Sequence, residues 1–543
     1  MATYKQKGVS DKLFRKNPVK LDETEANMGR YCNRWILGDL IHDNHMENIA
    51  ALKKMLSEEN SRTQAMITVD SLKRLSIDHY FSEQINTHLE SFYRSHKAFL
   101  ETDFGVFDAA LSFTSLREGR YDVSSDMFRK FIDKDGEFDK AISRDIKGLL
   151  KLHDASHLNM GEEVLHKAHG FTSKQLWSSL NYFEPSMSNF IREDLVHPYH
   201  LSLPKYRVKH NLKYFQGMLG RNHAMEELAL AEYHHNRSQH QIELMQFTRW
   251  WRDLGLAQEL PFARDQVQKW YMWAMSIIQP GVGSSKYRLE ITKVISFIYV
   301  VDDIFDLVGS PDELSVFTDV VKRWDIDEDT NSLPSYMRTC YQALYNVTTD
   351  MAELVEKEHG YNPIQHFRKA WEKLFEAFFV ETRWFANNQT PTTSDYLKNG
   401  VISTGVHVVL VHAFFLLGQG VTRDAVDLLE HNPPIITSCA KILRLSDDLG
   451  CAKDEEQHGY DGSYQDCYMN ENPSCSSHDA KKHIMYMISK TWEELNTECF
   501  CTKSFSPVFQ EVSLNLARMV RVMYTYNEKQ KLPILEEYVN SLL

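Results

Sequence analysis

A chain of 543 residues, 43% hydrophobic and 25% charged, is too long for one ordinary core and too apolar for disorder, so two large globular units are expected. Its 61 basic and 75 acidic residues leave a net charge of −14, which excludes a surface built to grip nucleic acid. Eight cysteines with no CxxC pair among them exclude a disulfide framework and zinc-type spacing, and fit a reducing compartment.

The opening residues Met1–Gln6 carry no apolar signal core and are too few for a plastid transit peptide. The expected location is the cytosol, with the plastid left open where a transit segment precedes this start. Apolar residues then recur at spacings of three and four almost everywhere, as in Ile49–Leu56, Leu72–Ile85 and Leu314–Val321. Gly and Pro fall between such stretches, at Pro18, Pro204, Gly217–Gly220, Pro261, Pro280-Gly281, Pro311, Pro391 and Pro433-Pro434. The fold class predicted is all-α, in two helical domains over 1–220 and 221–543, with the boundary near Gly217–Arg221. A long helical pattern follows from Ala224 to Leu254. Within it His234, His235 and His240 have only Glu232 as a nearby acid, and are expected on a polar surface helix. Gly281–Lys286 has a faint likeness to a phosphate loop but lacks its spacing and a preceding strand.

The segment Ile295–Val308 sets Asp302, Asp303 and Asp306 inside an apolar run. On a helix, residues four apart share a face, so Asp302 and Asp306 project together and Asp303 is turned aside. Carboxylates buried without partners are costly, so a helix this apolar is expected to hold cations there. Magnesium suits, because it takes oxygen ligands and is often shared between carboxylates and substrate phosphates.

Farther on, Val401–Gly418 has the hydropathy of a membrane span but contains Ser403, Thr404, Gly405, His407 and His412, so a buried helix is expected and no membrane partner. In Ile442–Glu455 the residues Asp447, Cys451 and Glu455 stand at i, i+4 and i+8, with Arg444 one turn earlier. A second metal stripe is one reading and a plain Arg444–Asp447 ion pair the other. The acidic stretch Asp454–Gly462 and then Asn470–His478 read as a loop beside this stripe, either a lid or ordinary surface.

Together the two clusters resemble the plant terpene synthases. Asp302-Asp303-Ile304-Phe305-Asp306 is similar to that family's DDxxD motif, and Asp447–Glu455 to its second metal motif, (N/D)DxxSxxxE, at all but one position. The likeness extends over nearly the whole chain, to the final Leu535–Leu543. It implies a C-terminal class I helical bundle with a central active-site cavity, and an N-terminal helical domain without an active site. It further implies a prenyl diphosphate substrate, three magnesium ions with manganese as a substitute, and a monomer.

By this resemblance Asp302 and Asp306 ligate two ions, Asp447 and Glu455 a third, and Asp303 and Glu381 lie beside the metals without ligating them. Arg444 and Arg264 bind the diphosphate. Trp273 and Tyr524 match cavity positions, with Ile295, Phe297 and Tyr299 as further wall candidates, and Ser403-Thr404-Gly405 matches a kinked helix.

Three features depart from the family pattern. Cys451 stands where Ser or Thr is usual, and magnesium avoids sulfur, so water is expected in that place and weaker binding of the third ion. Gln266 replaces the second arginine of an Arg-x-Arg pair begun by Arg264. The twin-arginine-plus-tryptophan motif of cyclic monoterpene synthases is absent, with only Arg30 and Arg34-Trp35 in its region. The missing twin arginine, Phe262–Gln266 and Met523–Glu528 resemble the subgroup making linalool and nerolidol. Mono- or sesquiterpene hydrocarbons are the alternative products. The rival classes are a prenyl-chain elongating enzyme, which the single DDxxD and the extra domain disfavour, and a non-catalytic helical interaction protein with solvated acidic faces.

Overall fold

The computed structural model describes residues 35–218, 222–278, 284–326, 328–451 and 463–525, together with Leu535, Tyr538 and Val539. Among these residues the secondary structure is helical throughout, relieved only by one isolated antiparallel bridge between Ile132 and Phe138. The helices used below are, in the first half, α1 (Trp35–Glu58), α2 (Arg62–Arg74), α3 (Val106–Glu118), α4 (Ile146–Ser156) and α5 (Glu163–Ser179). Those of the second half are α6 (His223–Leu254), α7 (Val267–Ile277), α8 (Ser284–Leu307), α9 (Ile364–Ala386), α10 (Thr393–Ser403), α11 (Val406–Leu417), α12 (Pro434–Cys451), α13 (Tyr464–Glu471), α14 (Ser477–Phe500) and α15 (Pro507–Tyr524).

In the first half α3 is sandwiched between α2 and α4, and α4 packs on α5. The apolar run Leu72–Ile85 is not one helix as its spacing suggested. α2 ends at Arg74, Ser76 takes a left-handed φ of 57°, and a separate helix begins at Ser82. The turn lets Leu72, Leu75, Ile77 and Phe81 all reach the interior, so burial outweighs helical continuity.

In the second half α8 lies against α7, α9 and α11, while α12 lies against α10, α14 and α15. The two acid-bearing helices thus sit on either side of the broken rod α10–α11. The core is continuous from Ile49 to Val539, so the halves are fused rather than loosely linked. Polar ties cross the seam: Arg120 donates to Gln510 at 2.7 Å, Arg518 Nε to the His200 carbonyl at 2.8 Å, and Asn496 Nδ2 to the carbonyls of His157 and Asn159 at 3.0 and 2.9 Å.

The pattern Ala224–Leu254 is the single helix α6, ended by Gly255 in the left-handed conformation that glycine adopts without strain. On it His234 and His235 are exposed, but His240 is buried and bonds Tyr271 Oη at 2.9 Å, which corrects the surface placement expected for all three. Within Asn470–His478 the loop is residues 472–476, between α13, which ends at Glu471, and α14, which starts at Ser477 and is capped by Ser476. The stretch 452–462 and the proposed boundary residues 219–221 lie outside the described residues, as do Arg30 and Arg34.

Candidate active site

The back of α8 fixes where its acids go. Phe305 packs edge-on against Phe375 and at a tilt against Phe378 of α9, with ring centroids 5.7 and 5.5 Å apart, which aligns the end of α8 with the turn of α9 that bears Glu381. Asp302 is then half-buried, its side chain 30% exposed, and Asp306 is exposed on the same face. Asp303, a step of about 100° around the helix, points inward.

Asp303 is where the expected argument for metal is corrected. The deeply buried acid is not unpartnered: Arg264, from the loop before α7, sets Nε 2.7 Å from one Asp303 oxygen and donates its backbone N–H to the other at 2.6 Å. Its Nη2 also pairs with Asp302. Burial raises the Asp303 pKa, with Arg264 pulling against it. Burial likewise disfavours the Arg264 charge, but Asp302 and Asp303 outweigh it and hold the guanidinium ionised. A buried charge in need of neutralising is therefore no argument for a cation at this helix, and the outward pair Asp302 and Asp306 is left as the candidate ligand set.

The second cluster has the same plan. Asp447 is half-buried on α12 while Asp448 turns inward. There Tyr396 Oη of α10 donates to the Asp448 carboxylate at 3.1 Å, and the backbone N–H of Tyr464, first residue of α13, donates at 2.9 Å. Burial pushes the Asp448 carboxyl up to about 7. Arg444 lies 3.8 Å from Asp448, an i,i+4 ion pair in place of the i,i+3 pair with Asp447 weighed from the sequence. Its side chain runs along Gly400, where an added Cβ would come within 3.2 Å of the arginine chain. Of Cys451 only the backbone is described, and Glu455 lies outside the described residues.

Glu381 joins the two clusters. One of its oxygens accepts from Ser403 Oγ at 2.6 Å and from Asn399 Nδ2 at 3.2 Å, and Ser403 Oγ in turn accepts from Arg444 Nη2 at 3.2 Å. Burial raises the Glu381 pKa and the negative charge of Asp302 adds to it, while Arg444 opposes both. Glu381, Ser403, Arg444 and Asp448 are thus one linked network, on which Asp302 acts through its charge. Sequence reasoning assigned no role here to Asp448, Tyr396, Asn399 or Tyr464. The spacing i, i+3, i+7 of Tyr396, Asn399 and Ser403 on α10 was the available signal, a polar stripe read by the rule that had linked Asp302 to Asp306.

The kink expected at Ser403-Thr404-Gly405 is present. Gly405 has φ of 69°, and a Cβ there would come within 2.7 Å of Ile298, so α8 seats directly against the break. The stretch Thr393–Leu417 is apolar enough to cross a membrane, but 78% of its most apolar window is buried inside the protein.

Of the wall candidates, Trp273 Nε1 donates to Tyr299 Oη at 3.3 Å, and the Arg264 guanidinium stands 5.1 Å over the Tyr299 ring, so these two aromatics sit at the edge of the first acid cluster. Ile295 is one turn behind Tyr299 on the same face of α8. Tyr524 is half-buried at the end of α15, which packs on α7, the helix carrying Trp273. Phe297 is corrected: it is fully buried, on the side of α8 opposite Ile295, because two residues turn a helix by roughly 200°. Gln266 is buried at the N-cap of α7.

An outward acid pair, Asp302 and Asp306, on one helix and the outward Asp447 on another, set on either side of a kinked helix, fit a class I terpenoid-synthase architecture. The sequence agrees: residues 32–195 match the terpene synthase N-terminal domain and residues 252–494 the terpene synthase metal-binding domain, and the chain belongs to that family. It is therefore a lyase acting on prenyl diphosphates.

Among its relatives, probable terpene synthase 13 of Ricinus communis is 44% identical over 91% of this chain and 86% of its own length. An (E)-nerolidol synthase of Cannabis sativa is 42% identical over 90% of each chain. The chloroplastic S-(+)-linalool synthase of Arabidopsis thaliana is 39% identical over 92% of this chain and 88% of its own. In structure, grey poplar isoprene synthase in complex with three Mg2+ ions and dimethylallyl-S-thiolodiphosphate superposes with a TM-score of 0.86. It is 29% identical, over 93% of this chain and 97% of that one.

Proposed function

We propose that the enzyme ionises geranyl or farnesyl diphosphate with magnesium held by Asp302, Asp306, Asp447 and Glu455, and that water captures the allylic cation to give linalool or nerolidol. The observation that carries the metal assignment is the set of acids gathered around the kink, Asp302 and Glu381 on one side and Asp447, on the turn after Arg444, on the other. Its donor set is carboxylate oxygen, which suits a small hard cation, and the repulsion between Asp302 and Glu381 is of the kind such a cation relieves. The poplar structure with three Mg2+ ions supports that reading by similarity. Magnesium, when bound, supplies Lewis-acid stabilisation of the departing diphosphate.

The protein's own groups do the rest. Arg444, held in place by Ser403 and Asp448, offers N–H donors to diphosphate oxygens, and such charge-assisted bonds are strong. Arg264 adds a second guanidinium. The Trp273 ring beside it attracts positive charge left on the prenyl chain, while the Tyr299 ring already carries the Arg264 guanidinium. With Gln266 buried at a helix cap, only one arginine of the usual pair draws on the released diphosphate, which favours early capture over a long cyclisation cascade. The likeness to nerolidol and linalool synthases supports this product class.

Gas chromatography with mass spectrometry of products from geranyl and from farnesyl diphosphate, each supplied separately with magnesium, tests the reading. Acyclic alcohols are expected. Mainly cyclic hydrocarbons would refute the product assignment, and turnover undiminished by chelation would refute the metal assignment.

A further inference from the structure

Far from the acid clusters, three histidines of the first half converge. His153 lies on the last turn of α4, His157 caps that helix one turn later, and His169 faces them from α5. A ligand nitrogen from each can be chosen so that all three lie within 4.8 Å of one another. The rings stand at 4.8, 4.9 and 5.3 Å between centroids. His153 is buried, His157 half-buried and His169 exposed, which leaves the cluster an opening to solvent.

Two hydroxyls settle which nitrogens are available. Thr172 Oγ1 donates its hydrogen to the Ala168 carbonyl at 2.7 Å, so at the 3.0 Å contact with His153 Nδ1 it can only accept. Ser156 Oγ donates to the His153 carbonyl at 2.6 Å and stands 3.3 Å from His169 Nδ1, again as acceptor. His153 and His169 are both held with the proton on Nδ1 and the lone pair on Nε2. Ligand histidines in metal sites are oriented by this same arrangement, a fixed Nδ1–H bond behind a free Nε2.

The spacing agrees. His153 Nε2 and His157 Nε2 are 3.3 Å apart. Two nitrogens bound tetrahedrally to one zinc at about 2.0–2.1 Å lie roughly 3.3 Å from each other. The alternative occupant of that gap is a single hydrogen, donated from His157 Nε2 to the His153 lone pair.

We propose that His153, His157 and His169 form a binding site for a zinc-type transition-metal ion, distinct from the magnesium clusters, that clips α4 to α5 beside the seam between the two halves. His157 moves its proton from Nε2 to Nδ1 as it turns a lone pair to the ion, so three neutral imidazoles become ligands with no net proton release. A water completes the tetrahedron. Burial keeps the His153 and His157 imidazoles neutral near pH 7, the form that ligates. Nearby Asp194 favours the added charge and Arg521 opposes it. Magnesium, which prefers oxygen, does not compete. Because Asn496 of α14 bonds the His157 carbonyl, occupancy also stiffens the contact between the halves.

The test is titration of chelator-stripped full-length protein with zinc chloride by calorimetry and with cobalt(II) chloride by visible absorption, in excess magnesium to keep the acid clusters filled. One equivalent with the intense absorption of tetrahedral cobalt is expected, in the wild type and equally in Asp302→Asn. His157→Ala should weaken binding at least about 100-fold. Thr172→Val, which frees the His153 tautomer, should weaken it about 10-fold. His169→Gln, at an exposed position where folding is not at stake, should weaken it at least 10-fold and abolish the tetrahedral spectrum. No binding under excess magnesium, or affinity and spectrum unchanged in His169→Gln, overturns the proposal.

Discussion

The two acid motifs are built alike and anchored differently. Each begins with adjacent aspartates, and in each the first faces outward while the second is buried, Asp302 beside Asp303 and Asp447 beside Asp448. Asp303 is held by a full positive charge, the guanidinium and backbone of Arg264. Asp448 is hydrogen-bonded by neutral donors, the Tyr396 hydroxyl and the first N–H of α13, while Arg444 acts on it as a charge from 3.8 Å. The first motif is thereby positioned within the helical bundle. The second depends on α13, the helix that follows residues 452–462, so its geometry is tied to how the chain returns after the motif. Direct contact with a guanidinium opposes burial at Asp303, whereas burial raises Asp448 to about 7 and leaves an acid whose protonation can change near neutral pH.

If the outward aspartates carry the metal and the inward ones only position them, the largest effects fall on turnover. Asp302→Ala and Asp447→Ala are each expected to lower kcat/KM by about 1,000-fold with the helical fold preserved by circular dichroism, Asp302→Ala also losing some stability with its Arg264 ion pair. Retained turnover in either, measured by diphosphate release, breaks the assignment for that motif.

The inward pair should separate the two anchors by stability. Asp303→Ala leaves Arg264 facing an empty buried place and is expected to cost about 3 kcal/mol in denaturant unfolding. Tyr396→Phe removes one neutral donor from Asp448 and is expected to cost about 1 kcal/mol. Equal losses would mean that the anchors do not differ.

Proton linkage sharpens the same contrast. Because the Asp448 carboxyl is raised by burial from its ordinary 3.8 to about 7, its contribution to stability is fully present below pH 3.8 and is lost as pH rises to about 7. In metal-free protein, Asp448→Asn should therefore flatten the fall in melting temperature across that window. An unchanged slope would show that Asp448 ionises normally. The smallest effect belongs to Cys451→Ser, which is expected to lower the magnesium concentration needed for half-maximal turnover. A requirement unchanged or higher would remove any special role for that cysteine.

Much of this site was legible along the chain. The i, i+4 spacing put Asp302 and Asp306 on one face, the Ser-Thr-Gly triplet marked the kink, and the hydroxyl and histidine content of Val401–Gly418 argued for burial in protein rather than lipid. The misreadings share one cause. Helical periodicity says which residues share a face but not what stands across from them. Asp303 was read only as turned aside because its partner Arg264 is 39 residues away. Asp448 went unassigned because Tyr396 is 52 residues away. Phe297 was placed on the wall by its aromatic character, although its angle on α8 sends it into the core.

The sequence by itself determined the all-helical class, the metal chemistry implied by paired carboxylates, and the family whose motifs they match, since these follow from residue type and local spacing. Tertiary structure alone decided which aspartate of each pair is buried, how Glu381 and Ser403 bridge the motifs, and that three histidines from two helices meet. Those outcomes depend on contacts between residues distant in the chain, and such contacts are set by how whole helices pack.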